Sequence, residues 1–310
     1  MRGLGPIFNP QSPQASAIAA LFSNVLILSA IIFLIVASLV TYSLVRYRAR
    51  GRTSEPRQHF GSRRIETIWT AIPLLVVLIL FVVTIRTMAF VDAPLNPDRP
   101  PDLVVTGHQW WWEARYPNGA VTANEIHIPA SKRLLARIEG ADVIHDFWVP
   151  QLARKMDAVP NRPSYIWLEA DAPGTYQGTC SEFCGMQHAG MRFLVVADSD
   201  ADFSAWVNHQ AEPLVQPTSD LAAAGARLFD LYKCSDCHAV AGVSSNVTRG
   251  PSLAHLARRR FLGGELPNTP QNIGRWITNP QSIKPGNHMP DQRVAAGDLE
   301  ALTAYLAALQ

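Results

Sequence analysis

The sequence predicts a protein of three units: a hairpin of two membrane-spanning helices, an all-β sandwich and a C-terminal helical domain. Three observations predict this class. Two long apolar runs lie near the N-terminus, short β-rich runs follow between prolines and glycines, and the last region has apolar residues at helical spacing. The 310 residues are also too many for one small domain. We place the units at residues 1–91, 92–212 and 213–310.

Two apolar runs predict the hairpin. Residues 17–45 carry no charge, and residues 65–85 carry only Glu66. A bilayer core takes about 20 apolar helical residues, so both runs can span it. A cleaved signal peptide is the alternative for the first run, but its apolar region is usually about 7–15 residues long and follows a basic leader. Here the run is longer, and only Arg2 precedes it.

The segment between these runs fixes the expected topology. It carries seven arginines against a single acid, Glu55; the arginines are Arg46, Arg48, Arg50, Arg52, Arg57, Arg63 and Arg64. Basic residues in short loops stay cytoplasmic. We therefore expect the chain in a bacterial inner membrane, in contact with lipid, with both termini and the two following domains in the periplasm.

Charge also narrows the choice of partners and functional residues. The net charge is only +2, which argues against a nucleic-acid partner, because such proteins carry strongly basic surfaces. Glu66 lies at the cytoplasmic end of the second run. It is either an interfacial carboxylate that reaches to the membrane surface or a functional group, as ionisable residues in membrane spans often are.

The middle unit is predicted to be an all-β sandwich or barrel. Runs such as "NEIHIPA", "RLLARIEG" and "MRFLVVAD" are short, β-rich and separated by turn residues. Trp110, Trp111 and Trp112 are expected on one strand, where neighbouring side chains face opposite sides, so at least one should lie in the core. Gly178 and Gly185 flank two cysteines and are expected to let the backbone turn tightly there.

The stretch "TYQGTCSEFCGMQHAGM" closes this unit and predicts a metal site. It offers Cys180, Cys184, His188 and Met191 within twelve residues. Thiolate and thioether groups select copper, and imidazole suits it. Two thiolates could bridge two copper ions, each of which then needs one nitrogen, and His145 in "VIHDFWVP" could join His188 in this role. A zinc site, which has no use for methionine, and a disulfide are the alternatives.

The C-terminal unit carries the other two cysteines in a different motif. "KCSDCHAV" follows a helical pattern and reads C-x-x-C-H, the attachment signature of c-type haem. Cys234 and Cys237 would bond the haem vinyl groups, and His238 would ligate the iron. A zinc knuckle is the alternative.

The order of motifs over about the last ninety residues resembles the small class I cytochromes c. "RGPSLAHL" follows the C-x-x-C-H motif, and "NHMP" precedes a terminal helix. The resemblance implies that Met289 is the distal iron ligand and that the carbonyl of Pro251 orients His238. His288 competes for the distal position, but a His/Met pair raises the reduction potential relative to two histidines, which suits an electron acceptor.

The first two-thirds of the chain resemble subunit II of the haem–copper cytochrome c oxidases. The hairpin, "GHQWWW", "HDFWVP" and "CSEFCGMQHAGM" carry the resemblance, and the added cytochrome c region matches the caa3-type branch. The resemblance implies a cupredoxin-type sandwich that holds the dinuclear copper centre CuA. The implied ligands are the bridging Cys180 and Cys184, one histidine for each copper (His145 and His188), and the weak outer ligands Met191 and the Glu182 carbonyl.

The same resemblance implies further roles. The Glu182 side chain would reach a magnesium ion at the contact with subunit I. Trp110 would pass electrons out to the catalytic subunit, and Glu66 would lie at the mouth of a proton channel. The chain departs from the family at Asn161, which replaces the usual glycine after "DAVP". Asparagine tolerates the left-handed conformation, so the turn should survive.

These expectations combine into one function. The chain would be the electron-input subunit of a haem–copper oxidase, taking electrons from haem c or a cytochrome c through CuA to the catalytic subunit that reduces oxygen to water. Its partners would be subunits I and III and a cytochrome c or bc1-type donor. The alternatives are the same role in a nitric oxide reductase, and a copper-delivery or sensing protein. A quinol-oxidase subunit is disfavoured, because that branch lacks the copper ligands.

Overall fold

The computed structural model describes residues 6–48, 58, 60–214, 218–240 and 249–310. The chain divides into two compact units, Ser16–Asp92 and the remainder, which comprises Met1–Ala15 and Ala93–Gln310. Most of the arginine-rich segment, including Arg50, Arg52 and Arg57, lies outside the described residues, as do residues 215–217 of the predicted linker.

The first unit consists of two long helices, α1 (Pro13–Arg46) and α2 (Arg63–Val91). Each contains a stretch that is long and apolar enough to cross a membrane, and no residue of either stretch is buried within the molecule. Apolar side chains that the protein leaves uncovered need lipid around them. Pro73 lies inside α2, where a membrane helix tolerates it.

The β domain (residues 92–212) is a sandwich of two five-stranded sheets, as the sequence predicts. The strands, β1 to β10 in order, are Leu103–His108, Trp111–Arg115, Val121–Ala123, Glu125–Pro129, Leu134–Gly140, His145–Trp148, Met156–Ala158, Ser164–Leu168, Gly174–Cys180 and Arg192–Asp198. Their orders in the two sheets are β3-β2-β1-β5-β8 and β4-β10-β9-β6-β7. Trp112, Phe147 and Phe193 pack together between the sheets, with ring centroids 4.7–5.6 Å apart.

The tryptophan run does not lie on one strand, so that expectation is wrong. β1 and β2 pair antiparallel with His108 opposite Trp111, and Gln109 and Trp110 form the turn between them. All three tryptophans are nonetheless buried. Three adjacent tryptophans fit one continuous strand and a turn between two strands equally well. The sequence therefore could not distinguish these two possibilities.

Two further features of the β domain bear on the predictions. Asn161 has φ +59°, so it takes the left-handed turn expected of it. A helix, α3 (Asp200–Ala211), follows β10 and was not anticipated. The hydroxyl of Ser199 caps its start by accepting a hydrogen bond from the backbone N–H of Asp202.

The segment that precedes α1 packs on the β domain. The backbone N–H of Gln11 donates to the Gln151 carbonyl at 2.8 Å, and the Gln11 carbonyl accepts from the N–H of Asp171 at 2.8 Å. The Ser12 hydroxyl donates to the Leu152 carbonyl. These contacts join the described residues before α1 to the sandwich. The predicted domain boundaries at residues 91 and 212 stay predictions.

The C-terminal domain (residues 213–310) is helical, as predicted. α4 packs closely on α7, because Gly225 has no Cβ; an added one would lie 2.0 Å from the Ala301 carbonyl oxygen. Phe229 and Tyr305 meet edge to face in the core of this domain. Its elements are α4 (Asp220–Leu231), β11 (Phe261–Leu262), β12 (Leu266–Pro267), α5 (Pro270–Thr278), α6 (Pro280–Ile283) and α7 (Ala296–Ala307).

Candidate metal and haem sites

Strand pairing assembles the candidate copper site. Cys180 is the last residue of β9. The segment from Cys180 to Met191 leads into β10 and is here called the copper loop (residues 180–191). β6 begins at His145 and pairs with β9, with Phe147 opposite Cys180. This pairing brings a histidine from 35 residues upstream against the start of the loop.

All six predicted donor groups lie in one cluster. The sulfur atoms of Cys180 and Cys184 are 3.7 Å apart. Cys184 Sγ is also 3.7 Å from His188 Nδ1 and 3.7 Å from Met191 Sδ. Cys180 Sγ is 4.0 Å from His145 Nδ1 and 3.3 Å from the carbonyl oxygen of Glu182. Each sulfur therefore has its own imidazole and its own weaker donor.

The donor set fits copper better than either alternative. Both cysteines are free and buried, and their sulfurs are far beyond the roughly 2.05 Å of a disulfide. Met191 is fully buried with its thioether in the cluster. A thioether is a ligand for copper, whereas zinc sites use thiolate, imidazole and carboxylate.

The two glycines that flank the cysteines serve different purposes. Gly185 has φ +112°, a conformation that favours glycine, and an added Cβ would lie 3.0 Å from the Trp110 ring. Gly178 lies within β9 and makes no turn there, so that expectation is wrong. An added Cβ at Gly178 would lie 2.2 Å from the Phe193 ring, so the glycine makes room for the core aromatic residues.

The cluster stabilises negative charge on sulfur. The hydrogen bond between the two thiols lowers the pKa of Cys180, although burial opposes the shift. The same hydrogen bond raises the pKa of Cys184. Burial lowers the pKa of His145, but hydrogen bonds with Asp142 and Cys180 outweigh it, so the net shift is upward. The pair therefore favours the thiolate form of one cysteine, which is the form that binds metals.

Residues around the donors hold them in place. The Asp142 carboxylate lies 2.7 Å from His145 Nε2 and accepts a second hydrogen bond from the Gln109 backbone N–H at 2.7 Å. A carboxylate on the far ring nitrogen fixes the orientation of a metal-binding histidine. The side-chain amide of Gln109 and the indole N–H of Trp110 both donate to the Cys184 carbonyl, at 2.8 and 2.9 Å.

Some of these supporting residues were open to prediction and some were not. Asp142 lies three residues before His145, and a carboxylate at that spacing is a signal that could have been used. Gln109 was not singled out, and its contact with Cys184 joins residues 75 apart in the chain. No local pattern predicts such a contact.

The C-x-x-C-H segment forms a compact turn after α4. Cys234 begins a short 3-10 helix, and the His238 backbone N–H donates to the Cys234 carbonyl at 2.9 Å. His238 Nδ1 lies 2.8 Å from the Pro251 carbonyl oxygen. That hydrogen bond places the ring proton on Nδ1 and leaves Nε2 for a metal.

The surroundings of His238 suit a haem ligand. Burial lowers its pKa, with the Pro251 carbonyl opposing, and a neutral imidazole is the form that ligates iron. Gly250 makes the close approach possible, since an added Cβ would lie 2.6 Å from His238 Cε1. Cys234 and Cys237 are free thiols in this turn, so the residues present fit a covalently attached haem.

The two candidates for the distal iron ligand have different surroundings. The indole N–H of Trp276 donates to Met289 Sδ at 3.2 Å, so this sulfur lies within the C-terminal domain. The His288 ring instead packs against Trp110 of the β domain, with centroids 5.0 Å apart. The Met289 thioether contacts a helix of its own domain, whereas the His288 ring packs on the β domain, which favours Met289.

The remaining predicted residues are placed but their roles are not tested. Glu66 is exposed in the first turn of α2. Glu182 has an exposed side chain, and its carbonyl lies at the copper cluster. Trp110 is buried between the copper loop and His288, on the side of the C-terminal domain. The outward electron transfer assigned to Trp110 stays a prediction.

Comparisons with known proteins agree with this order of parts. The family model of the cytochrome c oxidase subunit II transmembrane domain matches residues 5–87. The model of the periplasmic domain of the same subunit matches residues 118–198, and the cytochrome c model matches residues 222–310. The three matches follow one another without overlap.

Two curated relatives match most of the chain, and a solved structure matches the β domain. A cytochrome c oxidase subunit 2 from Alkalihalophilus pseudofirmus is 36% identical over 309 residues, which cover 97% of this chain and 90% of the relative. One from Bacillus sp. strain PS3 is 33% identical and covers 85% of this chain and 79% of the relative. The crystal structure of the periplasmic domain of cytochrome oxidase subunit II from Bradyrhizobium japonicum is 33% identical over 36% of this chain and 94% of that domain, with a TM-score of 0.35.

Sequence and site lead to the same conclusion. The first relative matches along 90% of its length, and the family models match the membrane hairpin, the greater part of the β domain and the C-terminal domain in turn. The chain belongs to the cytochrome c oxidase subunit II family, with a cytochrome c domain at its C-terminus.

Proposed function

We propose that the chain is the electron-input subunit of a haem–copper oxidase whose catalytic subunit reduces oxygen to water. The observation that carries the proposal is the close clustering of Cys180, Cys184, His145, His188 and Met191, which are all buried except the half-buried His188. The cluster lies in one chain with a C-x-x-C-H domain. Catalysis belongs to the complex, and this chain supplies the residues that accept and position the electron carriers.

The copper residues would act as a rigid, buried frame. Cys180 and Cys184 would hold the dinuclear centre CuA through their thiolates, and His145 and His188 through their imidazoles. Met191 and the Glu182 carbonyl would complete the set. Bound there, CuA supplies a one-electron redox centre, as haem c does in the C-terminal domain. The hydrogen bonds to His145 and to the Cys184 carbonyl limit movement of the ligands, which keeps the cost of reorganisation low.

The haem residues would divide the work in a similar way. Cys234 and Cys237 would tether the group covalently, and His238 and Met289 would supply the ligands of its iron. The Pro251 carbonyl orients His238 through its hydrogen bond to Nδ1. The thioether ligand favours the reduced iron and so raises the potential.

Trp110 is proposed to serve electron input as well, while its role in electron exit to the catalytic subunit stays a prediction. Its indole N–H donates to the Cys184 carbonyl, and its ring packs against His288, the neighbour of Met289. These contacts support a route between the two candidate sites. Only 8% of the residue is accessible, so the indole is held firmly between the two domains.

The topology proposal is that both ends of the hairpin, and both cofactor domains, lie in the periplasm. The described residues before α1 hydrogen-bond to the β domain that follows α2, which supports a common side for them. Fusing a periplasm-dependent reporter after Val91 should give activity, and fusing it after Gly51 should give none. Activity only at Gly51 would reverse the topology.

The finer partner and ion assignments complete the proposal. Subunits I and III of the oxidase would flank the chain, and a cytochrome c or bc1-type complex would donate electrons. The exposed Glu182 carboxylate would bind magnesium at the contact with subunit I. Glu66, at the arginine-rich end of α2, would take part in proton uptake.

The proposal is tested on the complex purified with its partner subunits. We expect copper in a dinuclear, mixed-valence electron-spin resonance signal and a c-type haem that survives denaturing electrophoresis. Reduced cytochrome c should drive oxygen uptake, and Cys184→Ala should abolish it, whereas the exposed control Lys132→Met should not. Zinc in place of copper, or uptake of nitric oxide without oxygen, would contradict the proposal.

A further inference from the structure

We propose that Lys284 and Glu125 are positioning residues that hold the C-terminal domain on the β domain in one fixed arrangement. The inference rests on the proposed function, because it concerns how the two candidate electron-carrier sites are kept together. Each residue is a buried charge in one domain whose hydrogen-bond partners include backbone groups of the other.

Lys284 extends from the C-terminal domain into the copper loop. Its ammonium group donates to the carbonyl oxygens of Trp110 at 2.9 Å, Gly190 at 3.0 Å and Gly263 at 3.1 Å. The first two belong to the β domain and the third to the lysine's own domain. A lysine ammonium has three N–H donors, so all of them are used. Only 4% of Lys284 is accessible.

Glu125 makes the reciprocal contact. It lies on β4, and only 4% of it is accessible. Its Oε1 accepts hydrogen bonds from the backbone N–H groups of Arg260 and Phe261, the latter at 3.1 Å. Both N–H groups belong to the C-terminal domain. A carboxylate from one domain and an ammonium from the other are thus satisfied across the same boundary.

Buried charges of this kind specify geometry. A small rotation of one domain would leave an ammonium or a carboxylate buried without its partners, which is far more costly than losing an exposed ion pair. Hydrogen bonds between charged groups and backbone also depend strongly on distance and direction. The pair therefore selects one arrangement over its neighbours, whereas apolar contact alone would tolerate sliding.

The selected arrangement has a consequence for the candidate electron route. Gly190 precedes the ligand Met191, and the Trp110 ring packs on His288, next to Met289. The side-chain amide of Gln187 in the copper loop also donates to the Pro285 carbonyl at 2.6 Å. Lys284 is buried between the two domains and thus fixes the segment that carries Met289 beside the copper loop.

The test measures the distance between the two candidate centres in the oxidised, full-length protein. Copper and haem contents are established first. Pulsed dipolar spectroscopy then reports the distribution of distances between the mixed-valence copper centre and the ferric haem. The variants are Lys284→Met, which keeps length but removes the donors, and Glu125→Gln, which keeps size but removes the charge. Lys132→Met is the control, because Lys132 is exposed and pairs with Asp200 on the surface.

We expect one narrow distance for the unaltered protein and for the Lys132→Met control. In Lys284→Met the ratio of docked to undocked domain should fall by about tenfold or more, since a hydrogen bond to a charged group contributes at least that much. The narrow distance should broaden towards longer values, while the haem spectrum and the copper signal stay unchanged. Glu125→Gln should change the distribution in the same direction.

A narrow distribution that is unchanged in both variants would overturn the proposal and leave the proposed function standing. If Lys284→Met fails to retain its cofactors, Glu125→Gln decides alone. If even the unaltered protein holds neither group, the proposed function fails, and amide hydrogen exchange decides about the domains. Exchange at residues 186–190 and 260–264 should then speed up in both variants and stay unchanged in Lys132→Met; equal protection in all of them would contradict the positioning role.

Discussion

Trp110 and His288 lie with their ring centroids 5.0 Å apart and their planes at 50°, although 178 positions separate them in the chain and they belong to different domains. The other edge of the indole donates its N–H to the Cys184 carbonyl at 2.9 Å. One side chain thus contacts both the copper loop and the segment that carries Met289. This relationship makes Trp110 the residue whose replacement tells most about electron input.

Replacing Trp110 with phenylalanine should slow electron transfer from the haem c domain to the copper site. The change removes the indole N–H and part of the contact with His288, and the lost hydrogen bond should cost about 1 kcal/mol of stability. Flash-initiated absorption kinetics on the holoprotein measure the transfer. Trp167→Phe is the control, because Trp167 packs under Arg133 and not at the copper loop. Equal rates in both variants would remove Trp110 from the route.

Asp142→Asn should weaken copper binding without preventing folding. The carboxylate orients His145 through a 2.7 Å contact with Nε2 and helps to raise the pKa of that imidazole. Losing such a partner typically costs 10–100-fold in metal affinity, so we expect a loss of about that size. A competition titration with a copper chelator measures it. Asp98→Asn, at an exposed position, should bind copper as the unaltered chain does; a similar loss there would mean that the effect is not specific to His145.

The candidate copper ligands could be grouped from the sequence because most of them are local. Cys180, Cys184, His188 and Met191 lie within one loop, so their spacing alone implies a common site. His145 lies 35 residues before Cys180, so local spacing does not place it at the site. The pairing of β6 with β9 brings it to the other candidate ligands. The separation into membrane hairpin, sandwich and helical domain followed from hydrophobic periodicity in the same local way.

The residues that join the domains could not be predicted in this way. Lys284 meets the Trp110 carbonyl across 174 positions, and its sequence neighbours give no sign of burial. The role of Gly178 was misjudged for a related reason, since what it accommodates is the Phe193 ring on the neighbouring strand. Contacts between distant segments form only when the chain is packed. The sequence around Lys284 and Gly178 has no pattern that would indicate such contacts, so one sequence alone does not predict them.

Two glycines with positive φ offer a matched pair of substitutions. Gly119 has φ +90° and open space around a Cβ, whereas Gly185 has φ +112° and the Trp110 ring 3.0 Å from a Cβ. Gly119→Ala should lower the free energy of unfolding by about 1 kcal/mol through backbone strain alone. Gly185→Ala should lower it further and also reduce copper retention, because the loop must shift away from Trp110. Thermal unfolding and metal analysis measure the two effects, and equal losses would show that the contact with Trp110 does not matter.

His108 should make the β domain sensitive to mild acid. Burial lowers its pKa to about 4, with the nearby Asp142 opposing, whereas the unfolded chain has a pKa near 6.5. Between those pH values the unfolded state binds the proton and the folded state does not. The free energy of unfolding is therefore unaffected by the titration of His108 above pH 6.5 and decreases as the pH drops below it. The loss should approach roughly 3 kcal/mol near pH 4.

His108→Phe tests this dependence, because it keeps the stacking on Trp111 and removes the titration. Tryptophan fluorescence of the full chain in detergent reports the unfolding midpoint at several pH values. The difference in stability between His108→Phe and the unaltered chain should change in favour of the variant as the pH falls from 6.5 to 4. A difference that stays constant across this range would show that His108 is not the group responsible.

Replacing Met289 and His288 separately should identify the distal haem ligand. The Met289 sulfur lies 3.2 Å from the Trp276 indole nitrogen inside the C-terminal domain, whereas the His288 ring packs on Trp110. Met289→Leu should therefore abolish the weak far-red absorption band of a sulfur–iron bond and lower the reduction potential, since it removes the ligand that favours reduced iron. His288→Phe should keep the band and the potential, because phenylalanine preserves the aromatic contact with Trp110. If the band survived in Met289→Leu, or disappeared only in His288→Phe, the sulfur would not be the ligand and the imidazole would take its place.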